Sequence, residues 1–352
     1  MDFSDLLIDA GREMFAPTTA AFALAAIGLN FHFGMTGLLN MGHAGFMLLG
    51  MYGYAITIRE IEANDGMFLG IEMAAGAQIA LGVLVSILVA VAFGLLLGWP
   101  TLKLRGDYLA IVTIAAAEMV RFVGRSQSLK GLTGASTGIR GKDYKRPFES
   151  LSPFPDRQVE LGPFTLHGSQ STSWWLVLVA WSVVFLAALL FWRLSRSPWG
   201  RVLKGIREDE DAVRSLGKNV YAYKMQALVL GGVIGTFGGM IIAVGADNVQ
   251  PDNFSRDLTF YVLTGLVLGG VAKVTGSIVG PMLFWALYAF LDSFLRQLVG
   301  NKPVRIGNTT IISSVQVGPV VYMMMGALLV ALMVYRPQGL FGNRKEMAFD
   351  AH

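Results

Sequence analysis

Long apolar stretches separated by short polar connections dominate the pattern of hydrophobic and polar positions in this chain of 352 residues. A helix needs about 20 residues to cross the hydrocarbon core of a bilayer. The stretches that predict such helices cover residues 16–33, 38–58, 77–98, 108–124, 173–192, 225–246, 258–271, 277–297 and 316–335. The stretch 258–271 is short and contains glycine, which predicts a broken or re-entrant helix. The pattern predicts an all-α, polytopic membrane bundle of about eight to ten transmembrane helices.

The composition agrees with a membrane location and limits the available chemistry. Hydrophobic residues make up 54% of the chain and charged residues 15%, whereas soluble domains carry about 25% charged residues. The 42 glycines suit helices whose backbones approach closely in lipid. Because the sequence has no cysteine, disulfides and thiolate metal sites are excluded.

The distribution of lysine and arginine predicts the orientation of the chain. Eight of these residues fall within 193–224, which we expect on the cytoplasmic side. Alternation from this connection places the acidic segment 1–15 and the long loop 125–172 outside the cell, and the tail 336–352 inside. Residues 16–335 then form the transmembrane domain. The acidic start also differs from the positively charged start of a cleavable signal peptide, and we expect none.

The sequence offers no recognised motif for nucleotide or metal chemistry. A phosphate-binding GxxxxGK[ST] loop needs Ser or Thr after its Gly-Lys pair, and neither Gly141–Lys142 nor Gly217–Lys218 is followed by one. The four histidines have no HExxH or similar ligand spacing. No basic run suggests a nucleic-acid surface. We expect no metal, no cofactor and no catalytic residue in this chain, so that ATP and Mg²⁺, if used, belong to another chain.

The polar connection 193–224 contains a predicted surface helix. Its opposite charges four residues apart, which support an exposed helix, are Lys204 with Glu208, Arg207 with Asp211, and Glu210 with Arg214. Gly217 is placed to end this helix. Two interpretations stay open, a solvated linker helix and a docking helix for a soluble partner.

Four motifs in chain order resemble the permease subunits of branched-chain amino acid ABC importers, specifically the LivM-type subunit. The motifs are RGDYLAIVTIAAAEMVR at 105–121, TGASTGI at 133–139, GRVLKGIREDEDAVRSLGKNV at 200–220 and RPQGLFG at 336–342. The early stretch GLNFHFGMTGLLNMGHAGF at 28–46 is also similar to the first helix pair of the family. The resemblance extends from about Gly28 to Gly342.

The resemblance implies a multi-pass subunit of a prokaryotic plasma (inner) membrane importer. Two permease subunits would form the pathway, two ATP-binding subunits would dock beneath them, and an extracytoplasmic binding protein would deliver the solute. An EAAxxxG pattern is common in the docking loop, and this chain has Asp for Glu and Val for the second Ala. The residues that would couple to the ATPase are Arg207, Glu208, Asp209, Glu210, Asp211, Ala212, Val213, Leu216 and Gly217.

Branched-chain amino acids are the solute class that the resemblance implies. A largely apolar pathway fits such solutes, but urea, short amides or other small organic solutes remain alternatives. An ion-coupled secondary transporter is a further alternative that would need no ATPase. A membrane-embedded enzyme would need clustered catalytic groups, which the sequence does not offer.

Polar and ionisable residues within the apolar stretches are candidates for the translocation pathway, because they are costly at membrane depth. The candidates, with two residues from the second motif, are Asn30, Asn40, His43, Glu118, Arg121, Thr133 and Gly134. Glu118 and Arg121 could equally form a structural pair on one helix face. For Asn30, Asn40 and His43, ordinary hydrogen bonds between helices are as good an explanation as a wet cavity.

Other patterns favour packing over function. The small residues Gly231, Gly235 and Gly239 lie on one helix face, which predicts close contact between helices. Asp292 and Arg296 predict an ion pair near the end of a span. We also expect Asp107 to cap a helix that begins near Tyr108, and Met323 to Met325 to face lipid or pack.

Overall fold

The structure, a computed structural model, describes residues 3–68, 70–104, 106–153, 159–161, 164–166, 174–299, 304–306, 309–312, 316–335 and 339–341. Each stretch that the sequence predicts as a membrane helix coincides with an α-helix in this described part. The boundaries shift by a few residues, because caps and the first polar residues continue the helical hydrogen bonding beyond the apolar run.

Fourteen α-helices carry the fold of the described residues. In chain order they are α1 (Phe3–Phe15), α2 (Pro17–Leu29), α3 (His43–Ala63), α4 (Ala75–Thr101), α5 (Asp107–Arg125), α6 (Lys130–Thr133), α7 (Arg146–Ser150), α8 (Trp174–Arg196), α9 (Pro198–Glu208), α10 (Glu210–Ser215), α11 (Val220–Gly245), α12 (Arg256–Gly269), α13 (Val274–Val299) and α14 (Val317–Tyr335). A π-helix, Asn30–Met35, continues α2.

Short antiparallel strand pairs lie in the connections between helices. The strands are β1 (Met67–Phe68), β2 (Ile71–Glu72), β3 (Ile139–Arg140), β4 (Val159–Leu161), β5 (Phe164–Leu166), β6 (Asn248–Val249), β7 (Val304–Ile306) and β8 (Thr309–Ile312). Three of the pairs, β1–β2, β4–β5 and β7–β8, are local hairpins, whereas β3 pairs with the distant β6. The fold is therefore all-α in its architecture, as predicted.

Five helical segments in the described part are long and apolar enough to cross a membrane. They are Pro17–Met35, Ala75–Thr101, Trp174–Arg196, Val220–Gly245 and Val274–Val299. α5 is nearly as long, but Glu118, Arg121 and Arg125 reduce its hydropathy. α12 has 14 residues and reaches about 21 Å, which is less than the roughly 30 Å of hydrocarbon. The predicted polytopic membrane bundle is confirmed. α12, predicted as a broken or re-entrant helix, is one continuous short helix.

Helix α11 lies at the centre of the bundle, where its glycines allow α2 and α3 to approach. A Cβ atom on Gly231 would meet the Gly28 carbonyl oxygen of α2, and one on Gly239 would meet the Met47 carbonyl oxygen of α3. A Cβ on Gly235 would meet the His43 ring. The small-residue spacing on α11 thus marks close backbone contact, as the sequence predicts.

The end of α2 is interrupted, as the glycines around it predict. The helix becomes the π-helix at Asn30, and the chain then runs without regular structure through Leu38–Asn40 before α3 begins. Asn30 fixes this break to the α12–α13 connection. Its side-chain amide donates to Ser277 Oγ at 2.7 Å and to Lys273 O at 3.2 Å, and its Oδ1 accepts from Ala272 N at 2.8 Å. These hydrogen bonds hold the broken helix in place inside the protein.

The two ends of the bundle differ in the connections they carry. We call the end that holds residues 36–42, 102–104 and 197–219 the coupling face. Tyr221 Oη donates to Trp99 O at 3.2 Å across this face. At the opposite face, Arg121 bonds to Asp252 at 2.7 Å. The assignment of the coupling face to the cytoplasm stays a prediction from the charge distribution.

The described part of the long loop 125–172 is folded onto the opposite face. Tyr144 is fully buried there, and its hydroxyl donates to Ala243 O at 2.8 Å and to Ala246 O at 3.2 Å, at the end of α11. Burial raises the pKa of Tyr144, so that the hydroxyl stays protonated and keeps donating. Lys145 is also buried and pairs with Asp247 at 3.3 Å.

One local expectation from the sequence, a side-chain cap on α5, is wrong. Asp107 does not cap α5, because the helix already begins at Asp107 and Gly106, with φ of 58°, occupies the cap position without a side-chain bond. The carboxylate instead sits in the first turn, where it interacts favourably with the helix dipole.

The predicted pair of Asp292 and Arg296 forms at 2.6 Å. The acidic N-terminal segment forms α1, which packs against α13 and accepts a bond from Ser293 at Asp9.

We predict that Gly239→Val destabilises the bundle, because the added Cβ and its two methyl groups must displace the Met47 backbone of α3. Overpacking of this kind costs about 1–3 kcal/mol. The matched control is Gly326→Val in α14, where nothing lies within 4 Å of the added Cβ. Thermal unfolding in detergent should show a lower midpoint for the first variant alone, and equal midpoints would contradict the close α11–α3 contact.

A second prediction concerns the anchor of the broken helix. Asn30→Ala removes three hydrogen bonds and leaves buried polar groups unpaired, which costs about 1–3 kcal/mol. Asn64→Ala, which removes one exposed bond to Glu60 O, serves as the control with a much smaller loss. Both are read from the unfolding midpoint of the purified chain. An Asn30→Ala variant as stable as the control would show that the anchor contributes nothing.

Candidate functional site

The charged connection forms two short helices rather than the single helix that the sequence predicts. α9 ends at Glu208, and Asp209 adopts an extended backbone with φ of −152°. The Asp209 carboxylate caps α10 by accepting from Asp211 N and Ala212 N, each at 2.9 Å. A residue that satisfies free N–H groups with its side chain favours the start of a helix over its interior, which explains the break.

Gly217 ends α10 as predicted. Its φ is 75°, a left-handed conformation that favours glycine, and nothing lies within 4 Å of the position its Cβ would take. Of the predicted ion pairs, Glu210 and Arg214 lie 2.9 Å apart, and Arg214 also binds Asp211 at 2.8 Å. The element formed by α9, α10 and the turn at Gly217 is called the coupling element below.

The coupling element has an apolar inner side and a polar outer side. Leu203, Ile206 and Val213 are buried in the main hydrophobic core of the bundle. Val213 therefore packs inward and is not offered to a partner, because α10 must cover the core beneath it. Leu216 points the other way and is 78% exposed. Glu208, Asp209, Asp211 and Ala212 are exposed as well.

Two polar contacts attach the coupling element to the membrane helices. Arg207 Nη1 donates to the Gly34 carbonyl oxygen at 2.9 Å, within the π-helix that continues α2. Glu210 accepts from Lys224, a buried lysine near the start of α11. Charge-assisted bonds of this kind are about twice as strong as neutral ones. The coupling element is thus attached both to the π-helix that continues α2 and to α11.

A buried polar cluster lies where the broken end of α2 meets α11 and α3. His32 Nε2 lies 2.9 Å from Leu228 O, and Asn40 Nδ2 lies 3.2 Å from His32 Nδ1. This geometry suits a neutral imidazole that donates from Nε2 and accepts at Nδ1. Asn40 Oδ1 in turn accepts from Gly42 N at 3.0 Å. His43 is fully buried with its ring centre 5.5 Å from that of His32.

The sequence-predicted pathway residues lie in two regions, the break at the end of α2 and the opposite face of the bundle. Asn30, Asn40 and His43 are buried at helix contacts. Asn30 and Asn40 form hydrogen bonds there, and His43 packs against the rings of His32 and Phe46. His32 is not among the residues predicted from the sequence, although a histidine in an apolar stretch was the available signal. The attachment of Glu210 to Lys224 leaves no local pattern either, since the two residues come together only through the break at Asp209.

Glu118 and Arg121 form a charge network at the opposite face. Their side chains approach to 2.6 Å, Arg121 binds Asp252 at 2.7 Å, and Arg125 binds the same carboxylate at 3.3 Å. Glu118 also accepts from the backbone N–H of Arg256 at 3.2 Å. The network connects α5 to the α11–α12 connection. Asp252 is 131 residues from Arg121, so no local pattern could have identified it.

Thr133 and Gly134 shape a tight turn in the loop on the opposite face. Thr133 Oγ1 donates to Gly124 O at 2.8 Å, and Gly134 has a φ of 74°. The string from Gly134 to Gly138 also has the GxSxG spacing, a motif that is absent from the predictions above. However, Ser136 is exposed in a 3₁₀ turn, Ala135–Thr137, that leads into β3. A hydrolase nucleophile needs a strand–turn–helix setting, so the match carries no catalytic meaning.

The described side chains contain no group of three or more His, Cys, Asp or Glu residues that could hold a metal ion. The arrangement attaches a polar element at the coupling face to a broken helix and to the central helix of a membrane bundle.

The comparison with known proteins agrees with this arrangement. Residues 12–333 match the family model described as branched-chain amino acid transport system / permease component. The chain is 29% identical to the LivM permease proteins of the high-affinity branched-chain amino acid transport systems of Salmonella typhimurium and Escherichia coli, over 95% of this chain and 71% of theirs. It is 24% identical to a probable LivM permease protein of Methanocaldococcus jannaschii, over 92% of this chain and 91% of that one.

These matches span nearly all of the described bundle, including the coupling element and the broken helix. The predicted location, a multi-pass protein of the plasma membrane, agrees with the family and with the apolar helices. The chain belongs to the family of branched-chain amino acid transport system permease components.

Proposed function

We propose that this chain is a permease subunit of an ATP-driven importer and helps to carry branched-chain amino acids across the membrane. The relatives named above support the solute class, because they are permease proteins of branched-chain amino acid transport systems. The observation that carries the proposal is the double attachment of the coupling element, through Arg207 to Gly34 and through Glu210 to Lys224.

The exposed side of the coupling element is the proposed docking surface for an ATP-binding subunit. Exposed ion pairs contribute about 0–1 kcal/mol each, so Glu208 and Asp211 give orientation more than affinity. Burying a leucine side chain contributes about 1.5–3 kcal/mol, which makes the exposed Leu216 the main anchor. Ala212 completes the surface. The bonds and packing of four other residues fix the shape of the coupling element, namely Arg207, Asp209, Glu210 and Val213.

Movement of the docked ATPase would reach the pathway through the broken helix. The Arg207 bond ends on the π-helix, whose geometry differs from that of the α-helix before it. Closure of the ATPase would favour one of two arrangements of α2 and α11, and so shift the population between inward-facing and outward-facing states.

The sequence-predicted pathway residues take two roles in this proposal. Asn30, Asn40 and His43 set the geometry of the break. The Glu118–Arg121 pair and the turn at Thr133 and Gly134 lie toward the opposite face and shape the entrance there. Each contributes by positioning backbone and charge rather than by covalent chemistry.

The proposed partners are those that the family resemblance implies. The sequence has no phosphate-binding loop, so ATP and Mg²⁺ would be bound by two separate ATP-binding subunits. A second permease would complete the pathway, an extracytoplasmic binding protein would supply the solute, and the chain itself would bind no cofactor, no metal and no nucleic acid.

The proposal is tested by reconstitution. Vesicles that contain this chain, its neighbouring permease and both ATPases should take up leucine when the binding protein and ATP are present. The same vesicles without the ATPases, under a proton or sodium gradient, should take up none. Uptake at full rate without the ATPases would overturn the ATP-driven mechanism, and uptake of urea in preference to leucine would overturn the solute class.

We predict that Gly217→Trp uncouples ATP hydrolysis from uptake. A tryptophan here strains the left-handed backbone and places an indole ring on the docking surface. The matched control is Gly70→Trp, at another glycine with positive φ and open surroundings, in the turn between β1 and β2. Uptake per ATP hydrolysed should fall to roughly a tenth in the first variant alone. Equal coupling ratios in both variants would contradict the docking role.

A further inference from the structure

A cleft of about 500 Å³ opens on the coupling face between the end of α4, α10 and the start of α11. Four cationic side chains, those of Lys103, Arg214, Lys218 and Lys224, line it together with a single carboxylate, that of Glu210. None of the functions discussed above uses this cleft as a binding site.

The cleft has positive charge that the protein does not neutralise. Glu210 is shared between Arg214 and Lys224, and Arg214 also binds Asp211. Lys103 and Lys218 are exposed, and neither forms an ion pair within the described residues. Two free ammonium groups at the rim of one concavity provide a site for an anion.

The start of α11 adds to this field. The helix has 26 residues and begins at Val220, which lies in the wall of the cleft. The end of a long helix where N–H groups are free carries a partial positive charge and favours anions. Val220 N donates to Lys218 O at 3.0 Å, Ala222 N to the Asn219 side chain at 3.1 Å and Tyr223 N to Asn219 O at 3.2 Å, so the N–H of Tyr221 is the group of this first turn that these bonds leave for the cleft.

The position of the cleft relative to the bilayer indicates where the anion comes from. Tyr221, in the cleft wall, bonds to the backbone of Trp99, whose side chain is 72% exposed. Tyrosine and tryptophan are enriched at the level of lipid headgroups. Leu95 and Leu96, one turn earlier on α4, are exposed and lead from the cleft along the apolar outer surface of the bundle.

We propose that the cleft binds the phosphate group of an anionic lipid, with a phosphatidylglycerol-type headgroup between Lys103 and Lys218 and its acyl chains along α4. Basic pockets between transmembrane helices are suited to anionic headgroups. The apolar surface of α4 beside the cleft favours a lipid over a soluble phosphate. The lipid would hold the α4–α5 connection next to the coupling element, since Lys218 directly follows Gly217.

The test compares two double variants of the full chain in nanodiscs. Lys103→Gln/Lys218→Gln removes both free cations of the cleft. Arg201→Gln/Lys204→Gln removes two exposed cations from α9 outside the cleft, with the same change in net charge. Binding of phosphatidylglycerol is measured by native mass spectrometry and by the rise in unfolding midpoint, against phosphatidylcholine as reference.

We expect the cleft variant to bind phosphatidylglycerol about tenfold or more weakly, since each cation near a membrane surface contributes measurably to anionic lipid binding. The control variant should change less than about twofold. Both should match the unmodified chain in phosphatidylcholine alone, because neither substituted pair belongs to the packed core. Equal losses in the two variants would overturn the proposal, since the effect would then be one of general charge.

Two further arms distinguish the sources of the anion. Inorganic phosphate alone should not reproduce the stabilisation by phosphatidylglycerol, and if it does, the site is one for a soluble anion and the lipid proposal fails. If the cleft variant binds the lipid normally but loses an ATP-binding subunit on co-purification, the cleft is a protein contact and the proposal also fails. Neither arm depends on which solute is transported.

Discussion

The contact between the backbone of α11 and those of α2 and α3 is the constraint on which the rest of the structure depends. Gly231 and Gly239 permit an approach that any side chain would block. In lipid, where apolar surfaces gain little from meeting one another, such close packing and the hydrogen bonds it allows supply most of the association energy. The central position of α11 follows from its glycines rather than from its hydrophobicity.

This close packing also makes the broken end of α2 possible. A π-helix followed by irregular chain leaves backbone groups that lipid could not satisfy. The break is held by side-chain bonds, since Asn30 bonds to the α12–α13 connection, His32 to Leu228 O of α11, and Asn40 to His32 and to the Gly42 N–H within the break itself. The break is stable only inside the bundle, and the coupling element reaches it through one arginine, Arg207. The residues that stabilise the break are therefore also residues that the proposed function uses.

The sequence predicts the helical architecture well, because long apolar runs in a membrane protein admit almost no other structure. It also predicts the pair Asp292–Arg296 and the helix end at Gly217, since both follow from local spacing. The break at Asp209 was missed, because opposite charges four apart favour a continuous helix unless the capping strength of aspartate is weighed against them.

Other features depend on tertiary contacts and leave no local trace in the chain. Asp252 completes the network around Arg121 from a separate loop, and Ser277 meets Asn30 across 247 residues. The inward orientation of Val213 depends on which side of α10 faces the bundle. Distinguishing a pathway residue from a packing residue requires knowing what surrounds it, which the identity of Asn40 or His43 alone does not provide.

The buried hydroxyl of Tyr144 has a consequence for the whole molecule. It joins the loop on the opposite face to the last turn of α11, while Lys224, near the first turn of that helix, is held by Glu210. A single helix is thus fixed near both of its ends by groups at the two ends of the bundle. In the proposed mechanism, a displacement at the coupling face would act on the far loop through this one helix.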